Sequence, residues 1–431
     1  MNDSIFSLAD MIRHHRLKLG LTLHDLAIET NLSKGAISKI ENGRRKKPEY
    51  STVKSIASVL KIPYNEYINI YIALEKNADT MFEIFKESLT IDDTRTNLVR
   101  KIMLTYLKLA SDSYDAVEQI YNTAELAKNT TIKLSIYKTI LDYSRSHGIM
   151  HFLARSLYQI YLVERNDFTK LRQTYESGEY VLKYVEFLPS KERLSLYYKL
   201  AVHAFTLQLH NETIKHCNVI VQEDTSHGKV EKSYAYGMLR DSYLYLGNLE
   251  LAEKYSIECQ KQNSSQTSDN DKLYVALLNS KKGNKELAEL QFQDCLATCA
   301  ESFIAYVANE YISFLLLDKE TSKVEEILPE LEDKINELTF ATPIRRRELA
   351  CFYKLQGDFH TQINNVNQAL DFYMDGAYEY SQIDDIDNER ECLRLMYYLY
   401  RNNKVIVDAE TVDKVDRYYE RFKKEGIMCE K

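Results

Sequence analysis

The sequence predicts an all-α protein. Three observations carry that expectation. Breakers are scarce, with 12 Gly and 5 Pro in 431 residues. Apolar residues recur at helical spacing along most of the chain, and no convincing alternating strand run appears. From about residue 79 onward, aromatic-bearing helical stretches recur with Gly-Asn or Gly-Asp turns, and Gly247 and Gly283 lie 36 residues apart. A chain of this length has room for two or more domains.

Ser4 to Leu19 is expected to form the first helix, with Ile5, Leu8, Ile12, Leu17 and Leu19 turned inward and Arg13 and Arg16 outside. Leu21 to Asn42 then reads as two short helices with a tight turn between them. Thr22 is a good N-cap, because its hydroxyl can accept a first-turn backbone N–H. Leu23, Leu26 and Ala27 share one face. The helix ends at Thr30-Asn31, where Asn takes left-handed backbone cheaply. Ser33 caps the next helix, and Ile37 with Ile40 packs it back onto its neighbour. Lys34, Gly35, Ser38 and Lys39 remain on the outer face. This is the pattern of a helix-turn-helix whose second helix is placed for a DNA major groove.

Gly43 ends that helix. The run Arg44, Arg45, Lys46, Lys47 and Pro48 follows directly, which places its cations for phosphate contact. Ser51 or Thr52 is expected to cap a fourth helix, whose Val53, Ile56, Ala57 and Leu60 close the small core. Pro63 starts a fifth, running to about Leu74. The polar stretch Glu75 to Asp79 is the expected boundary, giving a DNA-binding domain over 1–74 and a second domain over 79–431.

The elements I-R-x-x-R-x-x-x-G-L-T, Leu26-Ala27, L-S-x-x-x-I-S-x-I-E-N-G-x-R and Pro48 together resemble the phage-repressor-like (Xre) DNA-binding domain. The resemblance implies that the first residues of the second helix, and one a turn later, read base edges. Here those are Lys34, Gly35, Ser38 and Lys39. Gly35 stands where the family usually carries a polar residue, which removes one base contact. Ser33 and Asn42 at the two ends of that helix, with Arg44, Arg45, Lys46 and Lys47, complete the expected DNA-binding set.

Charge divides along the same line. Residues 1–64 carry 11 Lys/Arg and 6 Asp/Glu, a balance of +5, which leaves −13 of the chain's −8 total for the remainder. A basic head suits phosphates and an acidic body does not.

Beyond residue 79 the clearest unit is Tyr236 to Tyr255. Leu349 to Phe359, with a turn expected at Gly357-Asp358, is a second. Gly283 to Ala288 is a third. Weaker turns near Arg165, Leu209 and Lys319 fill the series. These units resemble the tetratricopeptide repeat, which implies a right-handed superhelical array of helical hairpins sharing one core. Roughly 350 residues at this period allow about eight or nine pairs. The 33 Tyr suit repeat packing. Asn263 to Asp271 reads as a loop, and Val412 to Lys424 as a capping helix.

In such repeats the first helix of each pair faces the groove. Counting back from the turns nominates Arg155, Gln159, Lys199, His203, Asp241, Tyr245, Tyr306, Asn309, Ser313, Arg347 and Lys354. Amides can pair with a peptide backbone, and cations can hold carboxylates, so an extended peptide is the expected occupant.

A repressor-like head joined to this many repeats resembles the peptide-pheromone regulators of Gram-positive bacteria, the RRNPP group. The resemblance implies a cytoplasmic quorum-sensing transcription regulator. It would act as a homodimer or higher oligomer on double-stranded operator DNA, with affinity altered by a short signalling peptide. The alternative is a scaffold that sequesters a signalling protein of the phosphorelay type and releases it under peptide control.

Other classes find little support. No P-loop, G-x-S-x-G, H-E-x-x-H or Gly-rich cofactor turn occurs, so no catalytic residue and no cofactor is expected. The seven Cys form no C-x-x-C pair. Cys295 and Cys299, with His210, His216 and His227, do not make a metal site by spacing, and buried thiols in a reducing cytosol are expected instead. No basic segment followed by an apolar core begins the chain, and the longest apolar runs are too short for a bilayer, so no membrane partner is expected.

Overall fold

The structure, a computed structural model, describes residues 7–91, 94–223, 229–262, 268–403, 413 and 415–420. Every regular element among them is helical. Five short helices come first: α1 (Leu8–Lys18), α2 (Leu23–Thr30), α3 (Lys34–Glu41), α4 (Tyr50–Val59) and α5 (Tyr64–Tyr71). From Ala78 the helices follow one another in pairs joined by short connections. Among them, Lys229–Tyr245 is followed by Leu249–Gln262, Asp269–Lys281 by Lys285–Thr298, and Ile304–Leu317 by Thr321–Asn336. Pro343–Gln362 and Val366–Ser381 form the last full pair, and Ile386–Asn403 follows. A single pair cannot cover its own apolar face, so stacking is what stabilises it.

The chain divides into two compact units. One holds residues 1–163 and 181–188, the other 164–180 and 189–431. In the first, one apolar core runs from Leu8 to Ile160. The Tyr50 hydroxyl donates to Glu87 at 2.8 Å and the Tyr64 hydroxyl to the Ile84 carbonyl at 3.2 Å. The stretch 75–79, expected as the domain boundary, lies inside this unit. Glu75 is 5% exposed. It accepts from Lys47, from the Tyr71 hydroxyl and from the backbone N–H groups of Lys76 and Asn77.

The second unit brings its own ends together. Leu171 shares a core with Ala350, Tyr373 and Met396. The Arg172 backbone N–H donates to Asp384 at 2.8 Å, and its guanidinium pairs with Asp387 at 2.9 Å. Arg347 donates to the Thr206 carbonyl at 2.7 Å.

Several local expectations need correction. Arg16 is buried, because Glu41 offers it a partner inside the head. Leu17 and Leu19 are 59% and 46% exposed, since α1 turns Met11 inward instead. Neither Ser51 nor Thr52 caps α4; its N-cap is Glu49, which makes no side-chain capping bond. Gly357-Asp358 is not a turn but lies within Pro343–Gln362, and the chain reverses at Asn364, φ +61°. Gly357 instead lets Tyr373 approach: a Cβ there would lie 2.6 Å from the tyrosine ring. The turns at Gly247 and Gly283 have φ of +78° and +83°, where a side chain would be strained. Gln208 and Lys319 take the same left-handed conformation at two of the weaker turns. Residues 263–267 of the expected loop lie outside the described residues, and Ser268 caps the next helix. Of the expected capping helix, residues 413 and 415–420 are helical, with Tyr418 buried against the last core; the others lie outside the described residues.

Candidate nucleic-acid interface and repeat cavity

The α2–α3 pair is fixed by local chemistry. The Thr22 hydroxyl accepts from the His24 and Asp25 backbone N–H groups, and Asp25 accepts in return from Thr22. Those bonds from Thr22 hold the Asp25 carboxyl below its usual range. Asn31 takes φ +53°, and the Ser33 hydroxyl accepts from Ala36 N–H at 3.1 Å. Leu26, Ile37 and Ile40 close the interior. Arg16 adds a polar clamp: its Nε and Nη2 each donate to Glu41 at 2.7 Å, and Nη1 donates to the Leu21 carbonyl at 2.8 Å.

With the inner face so occupied, Ser33, Lys34, Gly35, Lys39 and Asn42 are exposed. Ser38 is half-buried and accepts from the Asn42 amide at 3.3 Å. Among the described residues, no carboxylate pairs with Lys34, Lys39, Arg44 or Lys46. The basic run is not uniform. Arg45 lies 3.5 Å from Glu49, and Lys47 is paired with the buried Glu75.

Residues 12–67, which hold this arrangement, match the family model described as helix-turn-helix. Residues 12–67 are a helix-turn-helix domain. Beyond the family model, the chain is 31% identical over 113 residues to the HTH-type transcriptional regulator RghRB of Bacillus subtilis strain 168, covering 26% of this chain and 63% of that protein. It is 41% identical over 58 residues to the HTH-type transcriptional repressor RghR of the same organism, covering 14% and 43%. The chain thus spans less than two thirds of the length of these relatives. Among solved structures, it is similar to a tetratricopeptide repeat protein from Parabacteroides merdae. That likeness has a TM-score of 0.46 and 15% identity, and covers 66% of this chain and 98% of the other. It is also similar to a STAND protein with a tetratricopeptide repeat sensor from Pyrococcus horikoshii, with a TM-score of 0.38, 11% identity and coverage of 99% and 74%. The helix-turn-helix domain does not end its contacts at residue 67: Lys54 pairs with Glu87 at 3.1 Å, and Lys101 donates to Asn69 at 2.7 Å.

The residues nominated for the groove separate into two groups. Arg155 and Gln159 belong to the first unit. The Arg155 guanidinium lies 4.3 Å from the Tyr121 ring centre, and Gln159 donates to the Tyr121 hydroxyl at 3.1 Å. The others belong to the second unit. His203 and Asn309 are 3% exposed, closed off from solvent. Burial pushes the His203 imidazole down to about 4. Asn309 donates to the backbone and side chain of Glu348 at 2.8 and 2.9 Å. Lys354 pairs with Asp358 at 2.8 Å. Lys199 is half-buried, and burial lowers its amine below the usual range. Ser313 is half-buried on the helix Ile304–Leu317.

Asp241, Tyr306 and Arg347 do come together. They line a cavity of about 1120 Å³ in the second unit, with Phe205, Tyr234, Met238, Phe303, Phe340 and Ile344 among its apolar walls. Arg347 was nominated from a turn that the structure places seven residues later. Seven residues fall only about 20° short of two full helical turns, so the face survives the slip.

Behind this cavity lies a polar cluster that sequence reasoning missed in part. The Tyr245 hydroxyl lies 2.6 Å from that of Tyr306 and donates to Glu310 at 2.9 Å, while the His210 ring stacks on Tyr245. Burial raises Glu310 to about 7, against the Tyr245 bond that lowers it. The signal was available: Glu310 is the only acid in I-A-Y-V-A-N-E-Y-I-S-F-L-L-L. Arg240, 1% exposed, was also missed; it pairs with Asp241 at 2.7 Å and with Asp271.

Glu179, Glu212 and His216 bring three possible ligand atoms within 4.8 Å of one another. Lys215 pairs with both glutamates, at 3.4 and 2.9 Å, and supplies the positive charge there itself. The six described cysteines are free, and burial raises their thiols. Among the described residues, no helix is long and apolar enough to cross a membrane.

Proposed function

We propose that this chain is a DNA-binding transcription regulator of the RRNPP type whose repeat region takes a short signalling peptide. The observation that carries the DNA reading is α3. Its caps, Arg16–Glu41 clamp and apolar face commit its inner side, while Lys34 and Lys39 stand exposed and unpaired on the outer side. Such a helix docks in a major groove, with bases read by Lys34, Ser38 and Lys39 and phosphates met by Arg44, Arg45 and Lys46. Two heads in a homodimer would meet half-sites about 34 Å apart, one helical turn. The peptide reading is supported by the cavity of about 1120 Å³, larger than the usual drug-sized site and lined by aromatic and charged groups. A peptide shifts DNA affinity only by binding one arrangement of the protein better than another.

The test is selection of a DNA site from random duplexes with the full chain, followed by titration with and without short peptides. Selective retention of one palindromic sequence, with affinity altered by a peptide, is expected. Equal affinity for all duplexes would overturn the regulator reading. A peptide that instead releases a bound signalling protein, with no effect on DNA, would favour the scaffold.

A further inference from the structure

Of the three arginines that line the cavity, Arg240 is closed off from solvent and Arg347 is half-buried, while Arg345 is exposed. Arg240 is 1% exposed at its side chain, whereas its two partners Asp241 and Asp271 are 14% and 21% exposed. All three line the cavity, as do Glu301, Glu337 and Glu348. One guanidinium against two carboxylates leaves that triad at −1. Arg347 is likewise committed, donating to the Thr206 carbonyl and lying 3.7 Å from Glu348. Across the whole lining, Arg240, Arg345 and Arg347 stand against five carboxylates, a balance of −2. Around these charges stand apolar side chains, among them the exposed Val230 and Tyr234.

We infer that the cavity selects an apolar peptide bearing a positive charge, whose ammonium or guanidinium group seats against Asp241 and Asp271. This rests on the peptide reading above and deepens it. It also reverses the expectation that cations of the groove hold a peptide carboxylate, because Arg240 and Arg347 already face the chain's own acids and the lining as a whole is negative. In a site walled by low-dielectric side chains, the exposed sign of a buried ion network decides which ligand charge is welcome.

The experiment uses the full chain and a fluorescent heptapeptide library of Leu, Val and Phe, each member made with one Lys, one Gln or one Glu and with a capped or free N-terminus. Lys peptides are expected to bind at least tenfold tighter than their Glu partners, with the ratio shrinking as salt rises. Asp241→Asn, nearly isosteric, should cut that preference to threefold or less while Gln peptides keep their affinity. Glu301→Gln, on a side chain with no hydrogen bond or ion pair among the described residues, gives a second readout in the same direction. Glu peptides binding as tightly as Lys peptides would overturn the charge inference and leave peptide binding standing. A library in which no member of any charge binds would remove the peptide reading itself, and the charge inference with it.

Discussion

Arg16 grips Glu41 with two donors at 2.7 Å each, joining α1 to the end of α3. Both side chains are buried, 9% and 4% exposed. Breaking such a pair from one side leaves a charge buried and alone. Glu41→Ala or Arg16→Ala is therefore expected to cost about 3–5 kcal/mol in chemical denaturation. The double variant Arg16→Met, Glu41→Leu should recover most of that loss. A single variant as stable as the parent would show that the clamp is dispensable.

On the outer face of α3, Lys39→Ala should weaken binding to the selected DNA site by about 1–3 kcal/mol and relax its sequence preference. Arg44→Ala or Lys46→Ala should weaken binding to all sequences alike and lower the salt slope by about one. The two behaviours are separated by anisotropy titrations at several salt concentrations.

Lys47 belongs to neither class. Its amine pairs with Glu75, whose burial would raise the carboxyl, but the bonds from Lys47, Asn77, Lys76 and Tyr71 outweigh burial and hold it below the usual carboxylate range. A depressed folded-state value contributes stability above the unfolded value, and that stability is lost as pH falls through the folded one. Lys47→Met should thus reduce stability at neutral pH and flatten its decline below about pH 4.5. Its effect on the salt slope of DNA binding should be smaller than that of Lys46→Ala.

Glu310 has the opposite sign. Burial raises its folded-state value to about 7, well above the usual carboxylate range. A raised acid contributes stability below its unfolded value, and that contribution disappears as pH rises through the folded one. Glu310→Gln should remove a pH dependence on the order of 3 kcal/mol between about pH 4.5 and 8. Denaturation profiles that keep their slope in the variant would place the titration elsewhere.

Gly357 and Gly237 separate packing from propensity. Both lie within helices, where Ala is ordinarily better than Gly by about 0.8–1 kcal/mol. A Cβ at Gly237 meets nothing within 4 Å, so Gly237→Ala should stabilise. A Cβ at Gly357 meets the Tyr373 ring at 2.6 Å, so Gly357→Ala should destabilise by about 1–3 kcal/mol, with Tyr373→Leu as the relieving partner.

What could be read from sequence was mostly local. Thr22, Asn31 and Ser33 act on backbone groups within a few residues, so their roles are written in the adjacent sequence. Gly247 and Gly283 are turns for the same reason. Gly357 looked alike but answers to Tyr373, sixteen residues on and in another helix. Arg16, Lys47 and Arg347 read as exposed or available in the sequence because their partners Glu41, Glu75 and Thr206 lie 25, 28 and 141 residues away. The helical face of the groove was legible from periodicity. Which of its polar groups the chain spends on itself depends on pairings that periodicity does not encode.

The bond from the Arg172 amide to Asp384 spans 212 positions. During synthesis from the N-terminus, residues 1–163 and 181–188 all precede the bulk of the second unit, so the first unit can complete its core early. The second unit cannot close until nearly two hundred more residues have left the ribosome. The nascent chain therefore passes through a stage with a finished head and an unfinished body, and Leu171 waits through it without the tyrosine and methionine that later cover it.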